Sequence, residues 1–167
     1  VDSNLIGEYN FENVMSAIAI GMYFDVAVES ISKAIQGYIP TNNRSQIINT
    51  DTNKILLDAY NANPSSMSLS VKSFVDNGSK EKYFFLGDMM ELGSFSKEEH
   101  QNIIDLLVDN DATNVFLIGK QFSITDFPAN YRSFKTQSEV LSWLSENPIT
   151  NGNILIKGSR SMKLEDL

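Results

Sequence analysis

From residue 46 onward, short apolar runs alternate with segments of helical length, and few architectures accept that pattern. Strands are predicted over 46–49, 54–57, 83–86, 114–118, 131–134 and 153–156, and helices over 64–75, 97–108 and 138–145. Repeated strand–helix–strand units argue for an α/β fold, a mainly parallel sheet with flanking helices. Local signals agree. Asn63 before Pro64 suits an N-cap followed by proline at the first helical position. Ser96 and Glu99 have the spacing of a capping box.

The segment before this pattern reads differently. Residues 10–36 look helical, with Val14, Ile18 and Met22 on one face and Val28, Ile31 and Ile35 on another. Asp25 is placed to cap the second helix, and Gly37 and Pro40 to stop it. Two short helices cannot form a core alone, so residues 1–40 are expected to be the tail of another domain. The polar stretch Thr41-Asn42-Asn43-Arg44-Ser45 marks the change to a second unit, 41–167. The first residue is Val1, and the last, Leu167, follows a predicted helix start at Ser161. The expectation is a fragment of a longer protein.

Composition narrows the chemistry. With 167 residues the chain can bury a real core. There are no cysteines, which excludes thiolate nucleophiles, disulfides and cysteine-held metals, and the single histidine, His100, excludes a histidine-rich metal site. The net charge of −8 gives no basic footprint for nucleic acid and reads as a device for solubility. No apolar run approaches membrane-spanning length, and no signal-peptide pattern opens the chain.

Polar residues gather where strands are predicted to end. Open α/β sheets bind ligands at the carboxyl ends of their strands. Asp58, at the end of an apolar run, could accept hydrogen bonds from two neighbouring hydroxyls, as on a ribose, or from local backbone N–H groups in a turn. Asn61 has no structural duty and offers a donor and an acceptor, whereas Asn63 doubles as a helix cap. Tyr60 could stack or fill the core. Asp88 and Glu91 lie in a second strand-end loop with two glycines. They could hold an ammonium group or a cation, or be solvated acids. Lys157, Ser159 and Arg160 follow the last strand, in a turn suited to a carboxylate or phosphate or to helix capping. The P-loop spacing is absent.

Asn10 and Asn13, one turn apart, could read a purine edge, or cap and solvate the first helix. Arg44 could reach a phosphate or ribose from the inter-domain stretch, or be solvated. His100 is expected on a helix surface.

Four motifs in series carry a resemblance. Tyr60-Asn61-Ala62-Asn63-Pro64 with Ser66-Met67, Leu86-Gly87-Asp88-Met89 with Glu91-Leu92-Gly93, His100, and Lys157-Gly158-Ser159-Arg160-Ser161-Met162 resemble the Mur ligases. They follow that family's order and cover nearly the whole chain. Within the family they are most similar to the branch that adds D-alanyl-D-alanine to UDP-N-acetylmuramoyl-tripeptide in peptidoglycan synthesis.

The resemblance implies a three-domain, monomeric, cytoplasmic enzyme. Residues 1–40 would end its central ATPase domain, and 41–167 would form its carboxy-terminal, Rossmann-like domain. It implies ATP and Mg2+ as cofactors, the metal being held mainly by the central domain, and no catalytic residue in this chain. Asn10, Asn13, Arg44 and Asp58 would hold the nucleotide. Asn61, Asn63, Asp88, Glu91, Lys157, Ser159 and Arg160 would face the dipeptide or close the cleft.

Two positions depart from the family pattern. Tyr9 stands where the family usually has histidine, and Leu57 where it often has a second aspartate. Competing readings are another Mur ligase, a folylpolyglutamate synthase-like ligase, and a non-catalytic nucleotide-binding module.

Overall fold

The computed structural model describes residues 2–7, 10–78 and 81–167. Two helices come first, α1 (Asn10–Tyr23) and α2 (Val28–Gly37). The α/β unit then runs β1 (Gln46–Asn49), β2 (Lys54–Asp58), α3 (Pro64–Val75), β3 (Lys82–Gly87), α4 (Ser96–Asp109), β4 (Asn114–Ile118), β5 (Arg132–Phe134), α5 (Gln137–Glu146) and β6 (Asn153–Lys157). The alternation of apolar runs therefore gives the predicted elements, with ends displaced by a residue or two.

The six strands form one sheet in the order β1-β2-β6-β3-β4-β5. Only β1 runs antiparallel; β2, β6, β3, β4 and β5 are parallel. Strand β6 is inserted between β2 and β3, so residues distant in sequence become neighbours. Asp58 sits opposite Lys157, and Leu86 opposite Lys157 on the other side.

Two apolar layers cover the sheet, because alternate strand residues point to opposite faces. On one face Leu56, Phe84, Leu86 and Leu117 pack against Met67, Val71 and Phe74 of α3 and Ile103, Ile104 and Leu107 of α4. On the other, Phe85, Phe116 and Ile156 pack with Val140 of α5 and with Leu164. Phe85 and Phe116 stack with centroids 4.4 Å apart, and Trp143 of α5 leans on Phe116. The chain leaves β2 toward the first layer and β6 toward the second. The tip of β6 is thus a topological switch point, the position at which such sheets take ligands.

Several local expectations are corrected. Asp25 does not cap α2; Ala27 occupies the N-cap, and Asp25 takes a left-handed backbone, φ 55°. Ser96 and Glu99 form no capping box, because a short 3-10 turn, Gly93–Phe95, runs directly into α4 and leaves no extended cap residue. The Ser96 hydroxyl donates instead to Gln121 Oε1 at 3.0 Å. The predicted helix at Ser161 is two 3-10 turns, Arg160–Met162 and Leu164–Asp166. Asn63 caps α3 as expected, its side chain accepting from Ser66 N at 2.8 Å.

Helices α1 and α2 and the link between them keep apolar side chains exposed, including Phe11, Ile20, Tyr23, Phe24 and Val28.

Candidate functional site

The tips of β2, β6 and β3 meet at one end of the sheet, and their polar residues meet with them. Asp58 closes β2. One carboxylate oxygen, Oδ1, accepts from the backbone N–H of Ser45 at 3.1 Å. The other, Oδ2, accepts from Ser70 Oγ at 3.2 Å and from the Lys157 ammonium at 2.5 Å. That ammonium also reaches the Asn61 carbonyl at 3.4 Å. Lys157 is 2% exposed, so its charge is compensated inside the protein rather than by water. The 99-residue separation of the pair is closed by the β2–β6 register.

The next layer joins β6 to β3. Ser159 N donates to the Asp88 carbonyl at 3.2 Å, and Met90 N donates to Ser159 Oγ at 3.0 Å. Gly158 permits this closeness: a Cβ there would stand 3.0 Å from Gly87 Cα. The Asp88 side chain turns inward, where its two oxygens accept from Gln121 N and Phe122 N at 3.0 and 3.1 Å.

His100 is wholly buried, contrary to the expected surface position. Its place one turn into α4 points it under the β3 tip. Met89 N donates to its Nε2 at 3.0 Å, which requires a lone pair there. Nδ1 therefore carries the proton and donates to the Ser96 carbonyl at 2.6 Å. Burial pushes its pKa below the ordinary value of 6.5, and the Ser96 carbonyl and Asp88 oppose that shift only partly. Nε2 lies 3.8 Å from Asp88, but the neutral ring makes this a contact and not an ion pair.

Asn61, Glu91 and Arg160, by contrast, are exposed at the same end. Glu91 is held left-handed, φ 66°. Tyr60, also exposed, lies beneath two guanidinium groups: Arg44 at 3.7 Å and Arg160 at 5.2 Å from its centroid. Such contacts favour a cation held near an electron-rich ring. The sequence assigns Tyr60 no more than a packing or stacking role; its link to Arg44 depends on the β1–β2 pairing and its link to Arg160 on the β2–β6 pairing.

A cleft of about 450 Å³ lies beside these tips, between α1, α2 and the stretch before β1. Asn10, Asn13, Val14, Ile35, Tyr38 and Arg44 are among its lining residues. The three residues expected at a nucleotide's base and phosphate end therefore do share one cavity. Asn10 is the first residue of α1 and not its cap; it donates to the Ile6 carbonyl at 2.7 Å and accepts from Asn13 Nδ2 at 3.1 Å. Asn13 keeps its own oxygen and one N–H for a ligand.

Of the residues expected to face a dipeptide, Asn61, Glu91 and Arg160 are open to solvent, and Asn63 caps α3. Asp88, Lys157 and Ser159 differ from that expectation. Their polar atoms bond within the sheet end, because each is buried there and a buried polar group left unpaired is costly. Tyr9 lies outside the described residues. Among the described residues, no group of three His, Asp or Glu side chains is arranged to hold a metal ion.

Residues 43–160 match the family model described as Mur ligase, glutamate ligase domain. The chain belongs to the Mur ligase family. It is 33% identical to the UDP-N-acetylmuramoyl-tripeptide–D-alanyl-D-alanine ligase of Bacillus subtilis, over 98% of this chain and 38% of that protein. The enzyme of the same name from Treponema pallidum is 31% identical, over 98% of this chain and 37% of its own length. The chain thus spans under two fifths of these relatives. Among solved structures, the UDP-N-acetylmuramoylalanyl-D-glutamyl-2,6-diaminopimelate–D-alanyl-D-alanyl ligase of Acinetobacter baumannii superimposes with a TM-score of 0.82 at 26% identity, covering 96% of this chain and 35% of that one. MurF of Thermotoga maritima, solved with ADP, shares the fold, with a TM-score of 0.80 at 18% identity, over 96% of this chain and 37% of that one.

Proposed function

We propose that the chain is the carboxy-terminal part of an ATP-dependent ligase that adds D-alanyl-D-alanine to UDP-N-acetylmuramoyl-tripeptide. The supporting observation is spatial: Asn10, Asn13 and Arg44 line one cleft, and Arg44 lies on Tyr60, at the mouth of the switch point. The relatives' names supply the substrates.

In this reading residues 1–40 end a central ATP-binding domain, whose remainder covers the exposed apolar face of α1 and α2. The free amide of Asn13 pairs with the adenine edge, a bidentate match for an amino group and a ring nitrogen. Arg44 takes the phosphate or ribose side, and Asp58 offers the unused lone pair of Oδ1 to a ribose hydroxyl. Asn61, Glu91 and Arg160 face the dipeptide. Glu91 suits its ammonium and Arg160 its carboxylate. Asp88, Lys157 and Ser159 hold the wall from behind, and the N-terminus of α3 behind Asn63 adds a weak positive field.

The reaction activates the tripeptide carboxylate as an acyl phosphate, with loss of ADP. The dipeptide amine attacks the acyl carbon, the C–O bond to phosphate breaks, and the amide forms as phosphate leaves with its electron pair. The chain's own part is to bring the amine to the acyl carbon and exclude water. Magnesium would offset phosphate charge; among the described residues no ligand set matches it, and we assign it to the remainder of the protein.

The test is a panel of amines offered to the full-length protein with ATP and the nucleotide-linked tripeptide. D-Alanyl-D-alanine is expected to be consumed with stoichiometric phosphate release. Preference for glutamate or diaminopimelate would move the chain to another branch, and no turnover would favour a binding module.

A further inference from the structure

The stretch that joins α2 to the sheet is held by an unusual clamp. Asn43 and Ser45 both adopt left-handed backbones, φ 59° and 48°, on either side of Arg44. Non-glycine residues rarely stay there without support from their surroundings. Here the support comes from the β2 tip. Tyr60 N donates to the Asn43 carbonyl at 3.1 Å, and Ser45 N donates to Asp58 Oδ1 at 3.1 Å. Between those two bonds, the Arg44 guanidinium lies on the Tyr60 ring. The carboxylate that grips Ser45 is itself fixed from behind by buried Lys157, with Ser70 as a second donor.

We propose that Lys157 is a positioning residue: by fixing Asp58 it holds the left-handed turn at Ser45 and so sets where Arg44 points. Its buried ammonium bonds Asp58 and the backbone carbonyl of Asn61, so it acts on the nucleotide side of the cleft through Asp58 and not by meeting a substrate. The consequence for catalysis rests on the ligase reading above; the mechanical link does not.

The Arg44–Ser45 bond is a trypsin site, which makes the clamp measurable in the full-length protein independently of ligation. Lys157→Met is expected to speed cleavage after Arg44 about tenfold, the scale of losing a charge-assisted hydrogen bond. Cleavage after exposed Lys97 and Lys120 should not change. In the ligation assay the same variant should raise KM for ATP about tenfold and leave KM for the dipeptide within about twofold. Lys157→Arg should restore much of both effects, and adding Asp58→Asn to Lys157→Met should bring little further change, because both act along one path.

A uniform rise in cleavage at all sites would reduce Lys157 to general stability and overturn the proposal. So would a rise confined to KM for the dipeptide, which would make Lys157 a substrate contact. Ser70→Ala, a gentler change at the same oxygen, gives a second arm: it should loosen the Arg44 site selectively, and unchanged cleavage there would also overturn the proposal. Absence of ligation by the unaltered protein would defeat the functional reading and leave the proteolysis result to stand.

Discussion

The carboxylate of Asp88 fills the space that a side chain at Gly119 would need. A Cβ at position 119 would lie 2.3 Å from the Asp88 carboxylate, and Gly119 itself has φ +124°. The missing side chain lets the carboxylate bond the N–H groups of Gln121 and Phe122, which open the turn after β4. Two neighbouring strand tips are tied in this way.

Gly119→Ala should therefore be costly on two counts, steric and conformational. A loss of about 2 kcal/mol or more is expected. Urea unfolding measures it, and a change under about 0.5 kcal/mol would mean that Asp88 has room to move.

His100 gives a pH dependence with a definite sign. Its folded pKa lies below 6.5, so between those two values the unfolded chain binds the additional proton. Its contribution is complete above pH 6.5 and is lost as pH falls from there toward the folded pKa. Chemical unfolding across this window should show stability declining with acidity. His100→Gln, which retains an acceptor for Met89 N, should flatten that part of the profile.

Asp58 and Lys157 should behave as a unit. Asp58→Ala leaves a buried ammonium with little more than the Asn61 carbonyl, and a cost of about 3 kcal/mol is expected. Lys157→Met in the same chain removes the stranded charge and should recover a large part of that loss. A double variant whose loss equals the sum of the two single losses would show that the pair is not energetically coupled.

Much of this architecture was legible in residue order, and the limits are physical. Strands β2, β3, β4 and β6 are buried apolar runs, and Asn63-Pro64 carries its own capping chemistry, so short windows suffice. Where a side chain's partner lies far along the chain, windows fail. Lys157 reads as a cation of an anion-binding turn until β6 is inserted between β2 and β3 and brings Asp58 beside it. Asp88 reads as a loop acid until the β4 turn closes on it. His100 reads as a helix-surface residue because the Met89 N–H that it satisfies belongs to a different element. Ser96 has the spacing of a cap, but the preceding 3-10 turn already occupies the cap position. The alignment of Asn10, Asn13 and Arg44 on one cleft came from motif resemblance; spacing alone left their roles open.

Asn13 carries the proposed base contact. In the full-length protein Asn13→Ala should raise KM for ATP roughly tenfold, the weight of one bidentate pairing, with little effect on the dipeptide. Unchanged KM for ATP would place the adenine elsewhere.

The most direct measurement follows a labelled oxygen. The full-length protein would be given ATP, D-alanyl-D-alanine and nucleotide-linked tripeptide whose terminal carboxylate carries a heavy oxygen isotope. Ligation through an acyl phosphate predicts that one labelled oxygen per amide formed appears in inorganic phosphate. Amide formed with unlabelled phosphate, or no dipeptide-dependent phosphate at all, would contradict the account.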